Sequence, residues 1–212
     1  MVVVIGETLL AREIAATLAA RSIDTALPAT LDEIANARVI VVAEGVSRND
    51  EDVERACRSI VVGGGTLVWV TTRPESDAAL QAVRRKGIPY TIVRAGAVAI
   101  VPKHIEGRLV LVPSDLAPAP IAMPGDLAQA TAELIAKDEV GTGRLVEVSS
   151  GLDARGWAST LRARGARPLV VPRWIAVLLG WLGLPRLEVG PGGVAIGSRR
   201  MRGRAARLPA PA

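Results

Sequence analysis

The chain has 212 residues, half of them hydrophobic, which is enough to bury a sizeable core. No uninterrupted apolar run reaches the roughly 18 residues of a membrane span, no basic stretch precedes the first apolar run as in a secretory leader, and Cys57 has no partner for an internal disulfide, so a cytoplasmic protein is expected. The net charge of +5 is uneven: from residue 151 onward eleven arginines face only Asp153 and Glu188, a local net of +9 that leaves −4 on residues 1–150.

Val2-Val3-Val4-Ile5 is a β-branched run that reads as a buried strand, followed by a glycine turn and a helix over residues 9–21. Residues 23–27 read as a weak second strand, 31–35 as a single helical turn and 38–43 as a strong buried strand. A helix over 49–60 places Val53, Ala56, Cys57 and Ile60 on one face, which makes Cys57 a packing residue. Gly63-Gly64-Gly65 turns into a strand over 66–71; a helix over 75–86 stops at Gly87, and 90–94 is the next strand. Two further strands, 108–112 and 144–148, flank a helix over 125–137. Strands spaced by helices imply a mainly parallel sheet with helices on both faces. Beyond residue 150 two helices are expected, 157–164 and the strongly apolar 174–182, with Trp174, Val177, Leu178 and Trp181 at helical spacing. Residues 190–197 read as a flexible linker, and Arg199-Arg200-Met201-Arg202-Gly203-Arg204 as a solvated basic run. The expected division is 1–150 as an α/β domain, 151–190 as a helical substrate-side or lid segment, and 191–212 as a basic Gly/Arg/Pro-rich tail.

Strand, tight glycine turn and helix are how a dinucleotide-binding α/β domain opens. The stretch resembles the start of the short-chain dehydrogenase/reductase superfamily in its atypical, NmrA-like or epimerase-like branch, where the usual opening is Gly-x-x-Gly-x-x-Gly-Arg. Gly6 matches the first glycine, the second is missing between Thr8 and Leu9, and Ala11 stands at the third. The resemblance runs on through Gly87-Ile88-Pro89-Tyr90-Thr91-Ile92-Val93-Arg94-Ala95-Gly96, Asp126-Leu127-Ala128, Arg144-Leu145-Val146-Glu147-Val148 and Pro172-Arg173-Trp174. It implies a Rossmann-like fold, shortened in its first half because only about ten residues separate the second strand from Arg38, where the branch has a further helix and strand.

The same resemblance implies an NAD(P) site and shows where this chain departs from it. The missing glycine alters the loop that presents N–H groups to phosphate. Ala26-Leu27-Pro28-Ala29-Thr30 offers neither an Asp for the ribose nor an Arg for the extra phosphate of NADP. No cofactor is therefore expected; with NAD(P) as the alternative, Gly6, Thr8 and Ala11 are the contacts. The superfamily's Tyr-x-x-x-Lys pair is absent, since the sole tyrosine, Tyr90, is followed four residues later by Arg94.

In an open α/β sheet the ligand lies beyond the carboxyl ends of the strands. Glu44 directly follows an apolar strand and is a candidate acid or base; its alternative is a solvated loop residue. His104, the only histidine, is the other proton-transfer candidate, and Thr72 and Arg94 are candidate orienting groups. Gly96, Trp174 and Trp181 are the candidate substrate contacts. No His, Cys and carboxylate cluster has metal spacing, so no metal is expected, and the serines lack a nucleophile motif. The basic run lacks aromatic interleaving, so no nucleic-acid partner is expected; a small hydrophobic metabolite is, and a homodimer remains open. Three functions compete: a redox-neutral isomerase, cyclase or dehydratase, as in secondary metabolism; an NAD(P)-dependent oxidoreductase or epimerase; and a non-catalytic binding or regulatory protein. Arginine far outnumbers the three lysines, Lys86, Lys103 and Lys137, as in GC-rich bacterial genomes.

Overall fold

The computed structural model describes residues 1–6, 9–27, 34, 36–44, 50–74, 77–99, 105–116, 121–190 and 193–197. Contacts divide the chain into two compact units, Met1–Val98 with Pro120–Ser150, and Ala99–Ala119 with Gly151–Ala212.

The first unit is built on strands β1 (Val2–Ile5), β2 (Thr25–Ala26), β3 (Val39–Ala43), β4 (Thr66–Thr71), β5 (Tyr90–Arg94) and β9 (Leu145–Glu147). They form one sheet in the order β2-β1-β3-β4-β5-β9, with every pairing parallel. The runs of Val and Ile form strands because branched side chains suit a pleated surface buried on both sides. The pleat sorts them. Val2 and Val4, Val39 and Val41, and Val68 and Val70 enter one core with helices α1 (Leu9–Ala20) and α4 (Pro124–Ala136). Val3 and Ile5, Ile40 and Val42, and Leu67 and Trp69 enter the other with α2 (Asp50–Gly63) and α3 (Ala78–Arg85). Asp77 caps α3, its side chain accepting from the Ala79 N–H at 2.9 Å. A short parallel pair, β6 (Ala97–Val98) with β8 (Ile121–Ala122), completes this unit.

β1 pairs on one side with β2 and on the other with β3, Val2 opposite Val39 and Ile5 opposite Val42. Strand order therefore reverses at β1. Among the described residues no further strand stands between β2 and β3, which is the shortening that the sequence predicts. Part of the expected turn at 31–35 lies outside the described residues.

The second unit differs from expectation in kind. Strand β7 (Leu109–Pro113) leaves the main sheet and stands in a four-stranded one, order β10-β7-β11-β12, with β10 (Arg167–Val171), β11 (Arg186–Gly190) and β12 (Gly193–Gly197). β10 and β11 pair parallel to β7, while β11 and β12 form an antiparallel hairpin. The segment expected to be helical therefore carries two strands beside α5 (Ala154–Ala163) and α6 (Arg173–Trp181), and the expected linker over 190–197 is mostly strand. The reason is local: Leu187 and Val189 alternate with Arg186 and Glu188. Leu111, Trp157, Leu161 and Leu187 are buried in this unit. The basic run at 199–204 lies outside the described residues.

Ile14 of α1 is fully buried, whereas Leu9 on the same helix is exposed. Ile14→Ala should cost about 2–5 kcal/mol and Leu9→Ala less than about 0.5 kcal/mol. Urea unfolding followed by far-UV circular dichroism measures both; equal midpoints would mean that α1 does not dock on the sheet through this face.

Candidate functional site

The reversal of strand order makes the carboxyl ends of β1 and β3 the crevice in which a sheet of this kind binds its ligand. At the end of β1 stands Gly6, with φ +129°. A Cβ there would lie 2.8 Å from the Ala43 carbonyl oxygen and 3.4 Å from the Ala11 Cβ. Glycine is thus required twice over, by its backbone angle and by the closeness of β3. Ala11 is fully buried beneath it. Glu7 and Thr8 lie outside the described residues.

At the end of β3 the Glu44 carboxylate is buried, and so is the Arg73 guanidinium that meets it from beyond β4. Arg73 Nε donates to Glu44 Oε2 at 2.9 Å and Nη2 to Oε1 at 2.5 Å, a bidentate pair. The Thr71 hydroxyl donates to Oε2 at 2.7 Å and accepts from the Arg73 backbone N–H at 3.1 Å. Arg73 also reaches Asp50 Oδ1 at 2.5 Å at the start of α2, and Asp77 Oδ1 at 3.3 Å at the cap of α3. Its guanidinium carbon lies 5.3 Å from the Trp69 ring centroid. Burial alone would lower the Arg73 pKa, but the hydrogen bonds to Glu44 and Asp50 and the Glu44 charge outweigh it and hold it above the usual value. The Trp69 indole N–H is buried with no hydrogen-bond partner among the described residues.

This cluster changes the reading of Glu44. It is not a solvated loop residue, and it is not a free acid or base either: proton transfer through it would require opening a buried ion pair. Parallel register explains the assembly. Ala43 stands opposite Val70, so Glu44 falls beside Thr71; Thr71 stands opposite Arg94, and Arg94 opposite Glu147. Glu44, Thr71, Arg94 and Glu147 thus form one polar row across the carboxyl ends. Arg94 spends its guanidinium on Glu147, tying strand to strand. Thr72 is half-buried next to the cluster and Gly96 is exposed just past β5. His104 lies outside the described residues.

The partners of Glu44 escaped sequence reasoning, although a signal was there. Two consecutive buried strands end in opposite charges, Glu44 and Arg73, and strands next in sequence are usually neighbours in space.

The described residues fit a nicotinamide dinucleotide poorly. Gly6 retains the close backbone approach, but β2 ends in Ala26 and an exposed Leu27, and neither side chain can hold a ribose hydroxyl or a phosphate. Tyr90 opens β5 and so stands at the amino end of the sheet, away from the crevice. Among the described residues no His, Cys and carboxylate group could hold a metal ion.

Two cavities lie within single units. One, of about 210 Å³, separates α2 from α3 and is lined by Asp50, Val53, Glu54, Cys57, Val83 and Lys86, among others. Burial pushes the Cys57 thiol pKa up, which suits a packing residue better than a nucleophile. The other, of about 630 Å³, belongs to the second unit and is lined by Ser114, Asp115, Pro172, Arg173, Trp174 and Val177. It contains Trp174 and not Trp181.

Neither a family model nor a curated protein matches the sequence. Among solved structures the chain is similar to AtPrR2 in apo form, with 13% identity over 81% of this chain and 80% of that one and a TM-score of 0.55. It is also similar to a protein described as an NAD-dependent epimerase/dehydratase from Methylobacillus flagellatus (14% identity, 80% and 85% of the two chains, TM-score 0.47). A third is a Rossmann-fold NAD(P)-binding family protein from Shigella flexneri (15%, 72% and 95%, 0.47). The likeness to AtPrR2 is one of fold alone; the parallel order β2-β1-β3-β4-β5 with helices on both faces is Rossmann-like, as the superfamily resemblance in the sequence implies.

Truncating Arg73 strips the buried Glu44 carboxylate of its guanidinium. Arg73→Ala should cost about 3–5 kcal/mol, while Arg94→Ala, which removes a partly exposed pair, should cost about 0–1 kcal/mol. Denaturant midpoints of the two variants test this, and a mild Arg73→Ala would mean that the cluster is solvated in solution.

Proposed function

We propose that this chain is a small-molecule tailoring enzyme on a Rossmann-like scaffold, redox-neutral (an isomerase, cyclase or dehydratase), acting on an apolar metabolite, with NAD(P) binding weakened or lost. The observation that carries the reading is the position of Tyr90. The one tyrosine of the chain opens β5, at the amino end of a parallel sheet whose ligands bind at the carboxyl end. It cannot serve there as the proton donor that hydride chemistry on such a scaffold uses. Within the second unit, the open hollow walled by Trp174 and Val177 supports an apolar ligand over a highly charged one.

In this reading Thr72 orients the ligand, the Glu44–Arg73 and Arg94–Glu147 pairs hold the strand ends around it, and proton transfer falls to His104. Gly96, just past β5, borders the substrate. Gly6 at the strand reversal favours a second reading, an NAD(P)-dependent reductase or epimerase with Gly6, Thr8 and Ala11 at the phosphates. The closed Glu44–Arg73 pair favours a third, a binding protein without catalysis.

Calorimetric titration separates the first two readings. NADH and NADPH should show no saturation below about 1 mM. Micromolar binding of either would replace the proposal with the NAD(P)-dependent reading. Once a substrate is found, His104→Ala should lower turnover at least about tenfold without a nucleotide requirement.

A further inference from the structure

Helices α2 and α3 cover the same face of the main sheet, but the stripes they turn toward each other do not close. The stripe on α2 is Asp50, Val53, Glu54 and Cys57, at the i, i+3, i+4, i+7 spacing of one helix face. The stripe on α3 and its C-cap has the same spacing, with Ala79, Ala82, Val83 and Lys86. Neighbouring helices normally interdigitate along such stripes and leave few voids larger than a water molecule. Here the stripes offer two alanines, a cysteine and two valines, and a cavity of about 210 Å³ remains. A cavity of about 150 Å³ is enough for a benzene ring. The gap is held from one end. Arg73 pairs with Asp50 at the start of α2 and with Asp77, the cap of α3, so one buried guanidinium fixes how far apart the two helices begin.

The lining divides by chemistry. Val53, Val83 and the Cys57 thiol are buried and form an apolar interior, and the thiol has no hydrogen-bond partner among the described residues. Glu54 and Lys86 are exposed, one from each helix, and neither belongs to an ion pair among the described residues. Both act on the same thiol: beside the upward push of burial, Lys86 draws the Cys57 pKa down and Glu54 pushes it up. The two charges therefore stand over one stretch of the cavity. Opposite charges above an apolar hollow match a molecule that carries both signs next to an apolar group. We propose that this cavity binds a free apolar α-amino acid, its ammonium on Glu54, its carboxylate on Lys86 and its side chain between Val53, Val83 and Cys57. The site lies between two helices rather than in the crevice, and the proposal does not depend on the function proposed above.

The test is calorimetric titration of the full chain with L-leucine and with L-phenylalanine, at least one of which should bind saturably with a Kd below about 1 mM. The amide of the amino acid that binds lacks the carboxylate, and its deaminated acid lacks the ammonium; each should bind at least about tenfold more weakly. Lys86→Ala should weaken the amino acid by at least about tenfold and leave the amide unchanged, and Glu54→Gln should weaken it similarly and leave the deaminated acid unchanged. Both positions are exposed, so neither change threatens the fold. Cys57 is the only cysteine of the chain, so its modification by methyl methanethiosulfonate reports on the interior directly. The amino acid at about ten times its Kd should slow that modification by about tenfold. Saturable binding of neither amino acid, binding of the amide or the deaminated acid as tight as that of the amino acid, or binding that leaves Cys57 as reactive as before overturns the proposal.

Discussion

A parallel sheet buried on both faces leaves its strands almost no room for polar side chains, and the architecture of the first unit follows from that constraint. β1 and β3 are buried at every position, and β4 at all but its first. Each face needs its own helical cover, supplied by α1 and α4 on one side and α2 and α3 on the other. Polar chemistry is driven to the strand ends. Of the five buried polar residues among those described, Glu44, Thr71 and Arg73 sit together at the carboxyl ends of β3 and β4.

What gathers there is a self-satisfied cluster. Arg73 joins β3 through Glu44, α2 through Asp50 and α3 through Asp77, so one guanidinium ties three elements where the crevice begins. Such a knot favours one arrangement of the strand ends over others, because a wrong register would leave ionised groups buried apart. It also narrows the chemistry. A carboxylate gripped from two sides holds its position, which suits it to shaping the crevice rather than to a role that requires it to leave its partners.

Where local chemistry decided the structure, the sequence was legible. The Val and Ile runs, the glycine turn at Gly6 and the missing unit before Arg38 led directly to strand positions and to the shortened sheet, because buried parallel strands have little compositional freedom. Two things were not legible. The pairing of Glu44 with Arg73 depends on register across β3 and β4, which no window along the chain contains. The destination of β7 depends on partners some sixty and eighty residues later, so its apolar run looked like one more strand of the main sheet. The hairpin of β11 and β12 was legible in principle, through the alternation of Arg186-Leu187-Glu188-Val189, but its glycines suggested a linker.

The late partners of β7 bear on how the chain assembles. Leu109–Pro113 leaves the ribosome well before Arg167–Val171 and Arg186–Gly190, the strands that flank it. Until they follow, it is an apolar strand with two open edges, the kind of segment that recruits neighbouring chains. The first unit can close once residue 150 has emerged, whereas the second must wait until residue 197 has followed. Synthesis therefore passes through a stage in which one half is folded and the other offers a sticky strand, an interval in which a holding chaperone has something definite to cover.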